Sequence, residues 1–194
     1  MFDAAGLWMK GAIMTHDAAV LKAREIANRV LAPSAGQNDK AGRFSTEAVE
    51  SLGESGLLGL LLPVDFGGSG LSPRTFAAVI AMLAEADASI AMVYLMHLLG
   101  AATIAAARPS AAQAVTPILQ EIGAGRHLST LAFSEAGSRS HFWAPISRAH
   151  RNGNGVRISA KKSWVTSAGH AQSYVVSALA PEGAGPGKTK TGFW

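Results

Sequence analysis

Cysteine is absent from the 194 residues, and disulfides, thiolate metal sites and cysteine nucleophiles are excluded with it. The same absence leans the reading toward a cytoplasmic protein. Carboxylates are present but unevenly spread. Residues 126–194 hold only Glu135 and Glu182 against nine Lys and Arg, a net charge of +7, whereas residues 1–125 hold eleven acidic against eight basic groups, a net of −3. A two-carboxylate mechanism therefore finds no partners in the second part. The change of sign near residue 126 coincides with a change of texture, and a domain boundary is placed there.

Familiar chemical motifs are equally scarce. No Walker-type phosphate loop and no glycine-flanked serine elbow occurs. "GGSG" at 67–70 follows Phe66 instead of linking a strand to a helix, so it is a poor dinucleotide fingerprint. The histidines at 16, 97, 127, 141, 150 and 170 form no i, i+4 pair on a helix, and no metal site is assigned. His97, set in an apolar helix, is read as a satisfied core residue. The first residues, "MFDAAGLWMKGAI", lack the basic start of a signal peptide. They are read as an extension, residues 1–14, with Met14 the natural start.

What is present is a globular composition, 48% hydrophobic and 15% charged. Twenty uncharged residues between Asp87 and Arg108 are long enough to span a bilayer. Their alanine content, with His97 and Gly100 among them, favours the buried centre of a helical domain and no membrane. Helical spacing and end signals predict helices over Thr15–Leu31 (closed by Pro33), Ser45–Ser55, Arg74–Asp87, Ser89–Ala107 and Ala111–Ile122. After Gly125 the pattern becomes that of strands: "HLSTLAFSE", a hairpin about Asn152–Gly155, "KSWVTSA" and "QSYVVSALAP". The final "KTKTGFW" reads as the opening of a further strand within which the sequence stops, which suggests a fragment. The expected fold class is α+β, with an all-α helical array over 15–126 followed by a β-domain over 127–194, incomplete as given.

One constellation has chemical potential. "LAFSEAGSRSH" (131–141) and "KKSWVTSAG" (161–169) each run from a strand into a loop of small residues, where hydroxyls and backbone N–H groups can approach a phosphate or a heteroaromatic edge. In a strand Trp164 and Thr166 face the same way. Arg139 and Lys161 or Lys162 can supply charge. Two ordinary strand ends or two walls of a site are both open on this basis.

The order and spacing of "GLLGLLLPVDFGGSGLS" (56–72), "AFSEAGSRS" (132–140) and "KKSWVTSAGHAQSYVVSA" (161–178), behind a helical array, resemble the acyl-CoA dehydrogenase family over about residues 17–180. The resemblance implies a barrel-like middle β-domain, bound FAD, and α,β-dehydrogenation of an acyl-CoA thioester with hydride transfer to flavin N5. By position it implies Trp164 against the flavin ring, Thr166 at the N5 edge and Ser134 at the pyrimidine side. Ser140 falls between the pyrophosphate and the CoA ester, and Phe133, Gly137 and Val165 complete the cofactor contacts. Ser140 and Arg139 would meet substrate. Fatty acid metabolism, an electron-transfer flavoprotein as acceptor and a homodimer or homotetramer are implied as well, with no nucleic acid. The family's base is a carboxylate in a C-terminal helical domain absent from this chain, so no catalytic residue is named.

The pattern is not kept everywhere. Ala136, Arg139 and His141 stand where the family carries Pro, Gly and Asp, Ser159-Ala160 where it carries Asn-Gly, and Val64 where it carries an acid. Three rivals follow: a flavin-dependent monooxygenase or oxidase on the same scaffold, a non-catalytic subunit of a heteromeric enzyme, and a nucleic-acid-binding β-domain suggested by the +7 charge alone.

Overall fold

A computed structural model describes residues 14–139, 141, 144–153, 155–182 and the backbone of 191–193. All but Met14 of the expected extension over 1–14, and the candidate residue Ser140, lie outside the described residues.

Helix α1 (His16–Ile26) starts at Thr15, whose hydroxyl accepts from Ala18 N at 3.2 Å, and buries Ala19, Ala23 and Ile26 along one face. The expected stop before Pro33 does not occur. A π-helical turn (Ala27–Leu31) leads directly into α2 (Ala32–Ala41), and Pro33 sits in the first turn of α2, where a missing N–H costs little. The Ser34 hydroxyl donates to Val30 O at 2.7 Å, supplying a donor on the turn that the proline leaves short. Helix α3 (Thr46–Glu54) follows, then two short 3₁₀ turns at Leu57–Gly59 and Val64–Phe66.

Helices α4 (Pro73–Ala86) and α5 (Ala88–Ala106) meet at Asp87, whose carboxylate accepts from Ser89 N and Ile90 N at 2.9 and 3.0 Å. Helix α6 (Arg108–Gly123) is kinked at Ala111. α5 is the one helix among the described residues long and apolar enough to cross a membrane, and half of that stretch is buried. It lies against α4, α6 and the sheet, burying Ile90, Ala91, Val93, Tyr94, His97, Leu98, Gly100 and Ala101, as the core-helix reading requires.

Strand β1 (Ser129–Ala132) pairs in parallel with β4 (Ser173–Leu179), Ser129 opposite Ser173, and β4 pairs antiparallel with β5 (Thr191–Phe193). β2 (Ala149–Asn152) and β3 (Gly155–Ile158) form a separate antiparallel ribbon. The helical array followed by strands is the expected α+β class. The barrel is not: among the described residues the strands make one three-stranded sheet and one ribbon, and neither closes on itself.

The strand expected over "KSWVTSA" is also corrected. Trp164 (φ +55°) and Ser167 (φ +62°) are left-handed, and Ala168 N bonds Val165 O, closing a turn. The period-2 argument that placed Trp164 and Thr166 on one face therefore does not apply.

At Gly100 the sheet comes so close to α5 that a Cβ would stand 2.8 Å from Ser129 Oγ. His97, three residues earlier, is fully buried at the same seam. Its Nε2 meets Leu58 O at 2.9 Å and its Nδ1 meets Ser129 N at 3.0 Å. A carbonyl only accepts and a backbone N–H only donates, so the ring is neutral with its proton on Nε2. Burial lowers its pKa to about 4.

Candidate functional site

β1 and β4 run side by side as far as Ala132 and Val176 and then separate. Into the fork comes Lys162, whose ammonium reaches Ser177 O at 2.6 Å and Phe133 O at 3.3 Å. The same group meets Glu135 Oε1 at 2.6 Å, while Glu135 Oε2 accepts from Ile146 N at 2.8 Å and Ser147 N at 2.9 Å. Burial pushes the Glu135 carboxyl up, but the hydrogen bonds from Lys162, Ser147 and Ile146 outweigh it and hold the group ionised, its pKa below the ordinary value. Lys162 is thus committed to structure, and of the two lysines expected to supply charge to a ligand only Lys161 is left.

The two suspected loops do come together. Ser163 N donates to Ser134 O at 2.9 Å, so Ser134 and Trp164 are held on adjoining backbone. Thr130 Oγ1 donates to Thr166 O at 2.7 Å, tying the turn to β1. Phe133, Ser134, Val165 and Thr166 are half-buried, and Gly137 (φ +93°) and Arg139 (φ +52°) are exposed. Ser138 is buried and caps the loop by donating to Glu135 O at 2.9 Å.

Trp164 stands 93% exposed, an open flat ring in a strained backbone setting. Around it several donors are unspent. The Ser134 and Thr166 hydroxyls, and the backbone N–H groups of Trp164, Val165, Thr166 and Ser167, donate to no other described residue. Ser167 Oγ is buried without a hydrogen-bond partner among the described residues. An exposed ring beside a row of free donors suits a planar ligand with hydrogen-bond acceptors on its edge. No metal-holding cluster of His, Asp or Glu occurs among the described residues.

Sequence reasoning missed the Glu135–Lys162 pair, although the signal was there: the one carboxylate of the first loop and a lysine two residues before the tryptophan of the second. It also missed the left-handed backbone at Trp164, expecting strand up to the small-residue turn that begins at Ser167.

The model of the acyl-CoA dehydrogenase N-terminal domain matches residues 14–134. The chain belongs to the acyl-CoA dehydrogenase family. Among curated relatives, "Probable acyl-CoA dehydrogenase YngJ" of Bacillus subtilis is 26% identical over 173 residues, covering 87% of this chain and 43% of the relative. The chain therefore spans less than half the length of that relative. Among solved structures, butyryl-CoA dehydrogenase from Megasphaera elsdenii superposes with a TM-score of 0.75 at 21% identity, over 88% of this chain and 46% of that one. The FAD complex of PigA superposes at 0.72 and 20%, over 91% and 47%. At these identities the likeness to the two structures is one of fold. In the family's terms, the two loops about Ser134 and Trp164 lie at the edge of and beyond the matched N-terminal domain.

Proposed function

We propose that this chain supplies the flavin-holding face of an FAD-dependent oxidoreductase of the acyl-CoA dehydrogenase type, whose substrate is an acyl-CoA thioester. The observation that carries the proposal is the junction of Ser134 with Ser163, which joins the loop carrying the Ser134 hydroxyl to the one carrying exposed Trp164 and the donors of residues 164–167. The FAD named with the PigA structure is consistent with it.

In this reading Trp164 stacks on the isoalloxazine ring, Thr166 and the 164–167 N–H groups meet its polar edge, and Ser134 meets the pyrimidine side. Phe133, Gly137 and Val165 complete the cofactor contacts, and Arg139 lines the thioester's path. A flavin held by these residues would supply the hydride-accepting chemistry of an α,β-dehydrogenation. Fixed N–H donors stabilise negative charge on the ring without having to reorganise. Glu135 is not assigned as the base that removes the α-proton, because Lys162, Ile146 and Ser147 already use its oxygens. The base, the closure of a β-barrel and the tetramer are assigned to the rest of a longer protein. That protein is placed in the cytoplasm, with an electron-transfer flavoprotein as acceptor.

The test is a visible spectrum after incubation with FAD and gel filtration. A flavin band that co-elutes with the wild-type chain and is lost from Trp164→Ala is expected. A wild-type chain that retains no flavin overturns the reading. A retained, reduced flavin that consumes oxygen and ignores acyl-CoA would transfer the assignment to the oxygenase branch.

A further inference from the structure

The Glu135–Lys162 pair lies where β1 and β4 part, with side chains only 1% and 9% exposed. Between them the two groups hold four stretches of chain. Glu135 Oε2 takes the N–H groups of Ile146 and Ser147, and Ser147 O in turn accepts Leu179 N at 2.8 Å, extending the edge of β4 that β1 has left. Lys162 spans Phe133 O and Ser177 O. Glu135 and Lys162 also face each other as an isolated antiparallel bridge, with Ser163 N on Ser134 O beside it.

From this geometry we infer that Glu135 and Lys162 are positioning residues: the pair sets the spacing and orientation of the two loops that carry Ser134 and Trp164. Each lies one or two residues along the backbone from the residue it places, Ser134 immediately before Glu135 and Trp164 two residues after Lys162. A buried pair of this kind adds little net stability over an apolar pair of the same shape, because desolvation offsets the attraction. What it adds is direction, since both oxygens and the ammonium have fixed partners on different segments. Trp164 is left-handed and surrounded by solvent, so nothing on its own side chain holds it in place.

The inference rests on the flavin reading only for its affinity readout, and the test separates the two. The chain contains no cysteine, so Lys162→Cys can be alkylated with 2-bromoethylamine at that position alone, restoring an ammonium on a side chain of nearly lysine length. Amide hydrogen exchange is then followed at Ser163, Ile146 and Ser147, with Tyr94 and Leu98 of α5 as internal references, and FAD affinity is measured by fluorescence titration. Lys162→Cys is expected to speed exchange at the three loop amides at least tenfold while α5 is unchanged, and to weaken FAD binding at least tenfold. Aminoethylation is expected to return both toward wild type. Glu135→Gln, which keeps the shape but not the charge, is expected to repeat the exchange pattern. Unchanged loop exchange overturns the inference, as does faster exchange spread evenly over sheet and helices, or a failure of aminoethylation to rescue. Equal FAD affinity in wild type and Lys162→Cys overturns it too. If the wild type binds no FAD, the flavin reading fails separately and the exchange and rescue results alone decide.

Discussion

His97 binds two segments with one neutral ring. Its folded pKa is about 4 and its ordinary value 6.5, so between those values the unfolded chain holds more protons than the folded one. Its contribution is complete above pH 6.5 and is lost as pH falls toward 4, on the order of 3 kcal/mol in all. The half-buried His127, also lowered by burial, acts with the same sign. Urea melts from pH 7.5 to 4 should record this slope. His97→Leu should flatten most of it while costing at least about 2 kcal/mol at pH 7, since Leu58 O and Ser129 N would be left buried without partners. At Trp164 the expectation is opposite: Trp164→Ala should alter stability by no more than about 0.5 kcal/mol while weakening FAD retention at least tenfold. His97 was legible as a core residue from its apolar neighbours. The conformation of Trp164 was not, because "SWVTS" fits a strand as well as a turn, and a left-handed tryptophan carries no local signal such as Gly or Asn.

The starts of α1, α4 and α5, each capped by a side chain, were legible, and the passage through the π-helical turn at Ala27–Leu31 was not. The joint between α4 and α5 follows from Asp87, which accepts two N–H groups of the next helix. Asp87→Ala should lower stability by about 1 kcal/mol in denaturant melts, and Asp87→Asn by much less. The run of helix through Pro33 was illegible, because proline is ordinarily a stop and the π-helical turn before it has no sequence mark. The same is true of the contact between the end of α6 and the Val64–Phe66 turn, where a Cβ on Gly123 would collide with Phe66 O. Gly123→Ala should therefore cost about 1–3 kcal/mol, and a thermal shift without any change at the Trp164 loop would locate the damage in that packing. The sheet order was beyond reach for a related reason. The residues between β1 and β4 separate two parallel partners, and alternation within each strand says nothing about which strand it will join.

On the scale of the whole molecule, the acidic helical part and the basic strand part of the chain meet along α5 and β1. Arg151 and Arg157 are exposed on the ribbon without a carboxylate partner among the described residues. A ligand carrying phosphates gains from that field, so FAD affinity should fall several-fold between 50 and 500 mM NaCl, as exposed charges are screened. Gel-filtration retention across that series would check it, and an affinity indifferent to salt would leave the +7 charge without a part in binding. The parallel pairing of β1 with β4 has another consequence. The chain leaves the sheet after Ala132 and rejoins it at Ser173, and Glu135, Lys162 and Leu179 hold the base of that excursion. At its far end, the ribbon tip, Asn152 and Gly153 are exposed, and a Cβ on Gly153 would meet no described atom within 4 Å. Lengthening a closed loop costs only slowly more entropy, so the tip is a place where a lineage can lengthen the chain, or an engineer graft a peptide, and leave the two loops at its base undisturbed.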